Sequence, residues 1–236
     1  MEVEEDNQTL HRQSQEDDDD DPPMLSSHAL EALKQFLAEQ NQTIPEPETE
    51  KGPQISLLSE DWRLSQFWYQ PETAESIAKE VLHLCSSIDS PRVACIACPT
   101  LFVYLKRLDP NLSVQLLEYD KRFEQYGSDF SLYDYKKPVE LPSEFKHAYH
   151  VVLADPPYLS EECLEKVTQT ITFLSQPEDS YLLLLTGEVQ KDTAKKLLGL
   201  YPCNFRPQHS SKLGNEFRLF TNYDPGSRLD GREFEK

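Results

Sequence analysis

Apolar positions follow two regimes along this chain. Residues 1–25 show no apolar period and are expected to be disordered. Ser26-Ser27 then caps an amphipathic stretch in which Leu30, Leu33, Phe36 and Leu37 recur at helical spacing, with Glu31 and Lys34 on the opposite face. The segment 41–54, NQTIPEPETEKGPQ, carries Pro45, Pro47, Gly52 and Pro53 and reads as a linker. No internal repeat is visible.

From residue 55 the pattern becomes that of a packed domain. Pro71-Glu72-Thr73 opens a helix whose apolar face is Ala74, Ile77, Ala78, Val81 and Leu82. Arg92 to Cys98, RVACIAC, is a short apolar run of the kind expected of a strand buried on both faces. Phe102 to Leu108 predicts a helix, Val114 to Glu118 a second strand, Asp129 to Tyr133 a third and His150 to Ala154 a fourth. Glu161 to Leu174 is helical by pattern, Tyr181 to Thr186 is a fifth strand and Thr193 to Leu200 a helix. Cys203 to Pro207 and Glu216 to Tyr223 complete the set. Strands alternating with helices imply a mostly parallel α/β sheet of seven strands with helices on both faces. The expected organisation is an acidic tail over 1–25, a helix and linker over 26–54, the domain over 55–225 and a C-terminal tail over 226–236.

Charge narrows the partners. The 236 residues hold 42 acids against 23 bases, for a formal net charge of −19. The first 25 residues contribute ten acids and one base, so the rest of the chain is still acidic by about ten charges. Nucleic-acid binders draw most of their affinity from a basic face, and no Lys/Arg cluster appears, so a basic protein partner suits this chain better than nucleic acid. No apolar run approaches the roughly 20 residues of a membrane span, and MEVEEDNQTL is acidic where a signal peptide would be basic and then apolar. Five cysteines are an odd number for a disulfide scaffold. The expectation is a cytoplasmic monomer that meets neither membrane nor nucleic acid.

The candidate chemistry lies at Asp155-Pro156-Pro157-Tyr158, directly after the fourth predicted strand. Ligands on α/β sheets bind beyond the carboxyl ends of the strands. Two consecutive prolines have no N–H to donate and a φ fixed near −65°. Such a loop presents carbonyl oxygens and one carboxylate in a rigid arc, able to accept hydrogen bonds from an amino group and orient its lone pair. Tyr158 supplies a ring face that can stack on a base or cover an alkylammonium. The plainer alternative is a Pro-Pro turn with Tyr158 as packing.

Asp-Pro-Pro-Tyr is the amino-methyltransferase signature of class I S-adenosylmethionine enzymes, and the likeness extends further. Ser65 to Tyr69 (SQFWY), Leu117 to Phe123 (LEYDKRF), Tyr133-Asp134-Tyr135, Ala154 to Leu164 (ADPPYLSEECL) and Asn215 to Arg218 (NEFR) together resemble the elongation factor 1-alpha lysine methyltransferase 1 family. That family was first named for N6-adenine DNA methylation, because of the same four residues. The resemblance implies a Rossmann-like class I methyltransferase sheet, S-adenosylmethionine as cofactor and a lysine of translation elongation factor 1-alpha as substrate. The alternatives it leaves open are an N6-adenine methyltransferase and a non-catalytic binding module on the same fold.

Carried over by position, the resemblance places Asp155, Pro156, Pro157 and Tyr158 at the catalytic end. Glu118, at the end of the second strand, would hold ribose hydroxyls, with Asp120 as runner-up. Asp134 would face the adenine amino group, or is a turn residue ahead of Lys136-Lys137-Pro138. Phe67, Trp68 and Tyr69 line the cofactor pocket or plug the core. Ala97 and Pro99 stand where most class I enzymes have a glycine-rich loop; none of the seven glycines falls there. Cys95 and Cys98 form a C-x-x-C without a second ligand pair, so no metal site is expected and both read as buried strand cysteines. His147 and His150 flank the fourth strand as ordinary loop and strand positions. No phosphate loop, dinucleotide fingerprint, H-E-x-x-H or G-x-S-x-G is present.

Overall fold

The computed structural model describes residues 57–211 and 213–233. The predicted helix after Ser26-Ser27, the acidic tail and the linker lie outside them. Seven strands form one sheet: β1 (Arg92–Ile96), β2 (Ser113–Glu118), β3 (Phe130–Leu132), β4 (Val151–Ala154), β5 (Tyr181–Gly187), β6 (Tyr201–Pro202) and β7 (Phe217–Thr221). Their order is β3-β2-β1-β4-β5-β7-β6. The pairs from β3 through β5 are all parallel. Strand β7 runs antiparallel to both β5 and β6.

Among the described residues four α-helices cover the sheet: α1 (Pro71–Cys85), α2 (Pro99–Leu108), α3 (Glu161–Leu174) and α4 (Lys191–Leu198). The pleat sorts the strand residues between two cores, because successive side chains point to opposite faces. Val93, Cys95, Leu116 and Leu153 pack with Ala74, Ile77, Val81, Leu101 and Leu105 of α1 and α2. Ala94, Ile96, Val152 and Ala154 pack with Leu164, Val167 and Ile171 of α3 and Ala194 of α4. The apolar runs of β1 and β4 therefore reflect burial on both faces.

Helix starts follow local chemistry. Pro71 and Pro99 occupy first-turn positions, where the missing N–H costs nothing. Ser160 caps α3 by accepting the Cys163 N–H at 3.2 Å, with Glu161 and Glu162 at the positive end of the helix. Gly199 ends α4 at φ 64°, a left-handed turn glycine accepts readily.

Three expectations are corrected. The run RVACIAC is strand only to Ile96; Ala97 turns at φ 53° and Cys98 caps α2, because Pro99 already belongs to the helix. The strand expected over Cys203–Pro207 is Tyr201–Pro202, and Cys203 keeps only an isolated bridge to Arg232. Pro202 is tolerated because β6 is the edge strand, where a ladder N–H can be missing. The stretch expected as a C-terminal tail is anchored at least to Glu233: Leu229 is buried, Arg228 donates to the buried Glu80 carboxylate at 2.5 and 3.2 Å, and Glu233 pairs with Arg218.

Gly187 closes β5 against the loop after Tyr158. A β-carbon there would meet both terminal methyls of Leu159, at 3.1 and 3.2 Å. Gly187→Ala is expected to displace Leu159 by a few tenths of an ångström, costing about 1 kcal/mol by thermal melting. Gly214→Ala, with open space around it, should leave the melting temperature unchanged.

Candidate active site

Strand order reverses between β1 and β4, and the chain leaves the two strands in opposite directions. The Asp155 N–H donates to the Ile96 carbonyl at 3.0 Å, and the Ala97 N–H to Leu117 at 2.8 Å. Beyond these bonds lies a cavity of about 480 Å³. Its floor is Ala97, Cys98 and Pro99 from the β1 turn and Asp155, Pro156 and Pro157 from the β4 turn. Glu118 and Asp134 enter from the ends of β2 and β3. Phe67 and Trp68 form one side of the roof, and His209, Asn215 and Phe217 the other.

The roof is stitched together. The Gln70 N–H donates to Gln208 at 2.8 Å, the Ser210 N–H to Trp68 at 2.8 Å, and Tyr69 bridges His209. The Glu60 carboxylate accepts the Trp68 N–H at 2.7 Å with one oxygen and the Ser211 hydroxyl at 3.1 Å with the other.

Glu118, Asp134 and Asp155 all line the cavity, and the charge of Glu118 acts on Asp155. Burial pushes the Asp155 carboxyl up to about 7; the Tyr69 hydroxyl, donating at 2.8 Å, opposes that rise and the charge of Glu118 adds to it. Burial likewise pushes Glu118 up to about 7, opposed by the N–H of Asp120 at 3.1 Å and reinforced by the Asp120 charge. Asp120 itself is engaged elsewhere: its oxygens accept from the Arg122 N–H, the Arg122 guanidinium and Gln66 at 2.8–3.0 Å. Burial pulls His209 down to about 4, so this imidazole is neutral at pH 7. The cavity is thus an apolar-walled recess suited to a ligand that carries positive charge and hydroxyl donors.

The family model described as "Probable N6-adenine methyltransferase" matches residues 60–225. The chain is 44% identical to human EEF1A lysine methyltransferase 1 over 204 residues, 86% of this chain and 92% of that protein. It is 38% identical to a protein-lysine N-methyltransferase of Dictyostelium discoideum, covering 90% of this chain and 95% of that one. The chain belongs to the EEF1A lysine methyltransferase 1 family. Among solved structures, the fold is similar to a branched-chain polyamine synthase mutein from Thermus thermophilus, with a TM-score of 0.50 at 14% identity, over 80% of this chain and 62% of that one.

Within this family member, ten of the twelve residues given site roles by position line one cavity: Asp155, Pro156, Pro157 and Tyr158, then Phe67, Trp68, Ala97, Pro99, Glu118 and Asp134. Asp120, the runner-up to Glu118, does not line it, and neither does Tyr69. Tyr69 lies behind the wall, 3% exposed, and reaches the site only through its hydroxyl on Asp155. Trp68 also serves the core, with its indole N–H on the Leu58 carbonyl at 2.8 Å and its ring edge-on to Phe123. Asp134 serves its turn as well, accepting the Lys136 N–H at 2.9 Å. Cys98 lines the cavity rather than the strand interior. Tyr158 is 46% exposed at the mouth, with Tyr135 edge-on at 5.8 Å and Tyr119 also exposed nearby in sequence to Glu118. His150 accepts the Arg92 N–H at 3.2 Å, and His147 sits in a turn at φ 55°. Among the described residues no group of three or more His, Cys, Asp or Glu side chains could hold a metal ion.

His209 and Gln66 had no sequence signal of their own. The His209 ring stacks on Tyr69 at 4.4 Å and meets Phe217 at 4.6 Å. Gln66 is buried and joins Asp120 to Arg122, whereas Glu118, held by the Asp120 N–H, lines the cavity.

The two raised carboxyl groups make the ligand-free protein pH-sensitive. Their folded pKa values lie above the unfolded ones, so the folded state holds protons that the unfolded state has released. Their contribution to stability is complete below about pH 4 and is lost as pH rises through about 7. Denaturant melts of the ligand-free protein should show this loss between pH 5 and 8, and Glu118→Gln should flatten the slope.

Proposed function

We propose that this protein is an S-adenosylmethionine-dependent protein-lysine N-methyltransferase whose substrate is a lysine side chain of translation elongation factor 1-alpha. The reading is carried by Asp155 and the two prolines after it, which have no N–H and line the cavity, in a chain whose relatives bear that activity in their names. The acidic charge of the chain favours a basic protein substrate over nucleic acid.

The residues present fit the cofactor. The cavity falls within the range of about 300–1,000 Å³ typical of cofactor pockets. Glu118 is the carboxylate free to accept a diol, with Asp134 on the adenine side. Ala97 and Pro99 bring backbone to the cavity floor, and Ala97 makes the left-handed turn that glycine usually provides, at a cost on the order of 1 kcal/mol. Phe67 and Trp68 supply apolar roof. When bound, S-adenosylmethionine would supply a methyl carbon on a sulfonium, open to in-line attack by a nitrogen lone pair, with the carbon–sulfur bond breaking and its electrons leaving on the neutral thioether.

The chain's task is to bring that lone pair into position. A free lysine with a pKa near 10.4 is only about 0.04% neutral at pH 7, equivalent to roughly 4.6 kcal/mol. The Asp155 carboxylate and the Pro156 carbonyl accept hydrogen bonds from the amine and fix its direction. Pro156 and Pro157 carry no N–H that could compete for the lone pair. Tyr158 and Tyr135 at the mouth shield the alkylammonium chain from water and offer it ring faces. Proton loss to water precedes transfer.

Purified enzyme should label elongation factor 1-alpha from radioactive cofactor, and Asp155→Ala should lower turnover at least 100-fold. Labelling of nucleic acid alone would replace this reading with adenine methylation. Glu118→Ala should weaken calorimetric S-adenosylmethionine binding by about 10- to 100-fold. Binding to wild type should strengthen from pH 6 to 8, as Glu118 and Asp155 ionise. Absence of any binding would leave a non-catalytic module.

A further inference from the structure

Tyr69 stands apart from the other aromatic residues of its segment. Phe67 and Trp68 face the cavity, whereas the Tyr69 ring is buried between His209 and the core of α1 and β1. A ring needed only for packing would be served by phenylalanine. Among the described residues the hydroxyl donates to an Asp155 oxygen at 2.8 Å, reached across 86 residues of sequence. Burying a hydroxyl beside a carboxyl without pairing them would cost the desolvation of both groups. Paired, they fix the side-chain rotation of Asp155.

We infer that Tyr69 is a positioning residue for the methyl transfer: its hydroxyl holds one Asp155 oxygen and thereby presents the other to the substrate nitrogen. The inference rests on the function proposed above and deepens it. The chain fixes Tyr69 itself at several points. Its backbone bridges His209, and the flanking Trp68 and Gln70 are bonded to Ser210 and Gln208. The contact joins the roof of the cavity to its floor.

Among the described residues, Tyr69 is the side-chain donor to Asp155. Glu118, from β2, faces it across the cavity and adds negative charge. Cys98, from the start of α2, is a thiol that burial pushes well above its ordinary range, so it is neutral. His209, behind Tyr69, is also neutral at pH 7. The Tyr69 hydroxyl is held protonated, burial first and the Asp155 charge second pushing its pKa well above the ordinary range. A donor fixed in this way favours the carboxylate form of Asp155 and opposes the rise that burial imposes.

The test compares wild type with Tyr69→Phe, which keeps the ring and removes the oxygen. In the ligand-free proteins, carbon-13 NMR should show the Asp155 titration midpoint rising by about one pH unit, a tenfold change in proton affinity. In turnover at pH 9, where Asp155 is ionised in both proteins, kcat should fall about 10- to 100-fold with cofactor KM within twofold, and the acid limb of the pH profile should move upward by the same unit. The variant Y69F/D155N should be no slower than D155N alone. An unchanged Asp155 midpoint with kcat within twofold of wild type would overturn the inference, as would independent, additive losses. Wild type gives a reading that needs no folded variant: a slowly exchanging Tyr69 hydroxyl proton supports the contact and a fast one removes it. Failure of wild type to methylate elongation factor 1-alpha would overturn the proposed function instead, while the titration would still report on the contact.

Discussion

The hydrogen bond from the Asp155 N–H to the Ile96 carbonyl sets the position of everything at this site. It is the last bond between β1 and β4, and it pins the first residue of the Asp-Pro-Pro-Tyr loop beside the end of the central strand. Past it the chain must diverge, because α2 leads back to β2 on one side while β4 leads to β5 on the other. No backbone fills the space between, and a recess results from topology alone. Side chains then decide what that recess accepts.

Those side chains are arranged with a conflict left in them. Glu118 and Asp155 are drawn out of water and toward each other, while Arg122 is taken up by Asp120 and Gln66. Positive charge beside Glu118 and Asp155 would favour the ionised form of both acids, which makes the recess selective for a cationic ligand.

The sequence was most legible where chemistry is local. Asp155 could be placed because its motif abuts an apolar strand, and Glu118 because it ends the next one. Helix α3 was readable from end to end, since Ser160, Glu161 and Glu162 announce its start and apolar spacing carries it to Leu174. Position Ala97 was not readable: the turn adopts a left-handed φ without glycine, so the apolar letters of RVACIAC ran past the true strand end. The role of Tyr69 was hidden for another reason. An aromatic residue ahead of a helix is ordinary, and its partner lies 86 residues away. His209 had no periodicity at all around it; only the folded roof gives it neighbours. Pairings across such distances are set by sheet order, which a linear pattern does not encode.

Glu60 carries a consequence for how the molecule is made. Its two carboxylate oxygens clasp Trp68, in the segment before α1, and Ser211, in the segment before β7, the second lying 151 positions from Glu60 itself. A ribosome delivers the first partner long before the second. Until residues 208–217 have emerged, the recess has a floor and one wall but no cover, and the Tyr69 ring lacks the imidazole that later lies against it. Closure across so long a stretch of chain is costly in entropic terms, which favours the antiparallel β6–β7 pair as a late fastening over a first nucleus. A nascent chain stalled before β7 would hold the motif and yet have no enclosed chamber in which to use it.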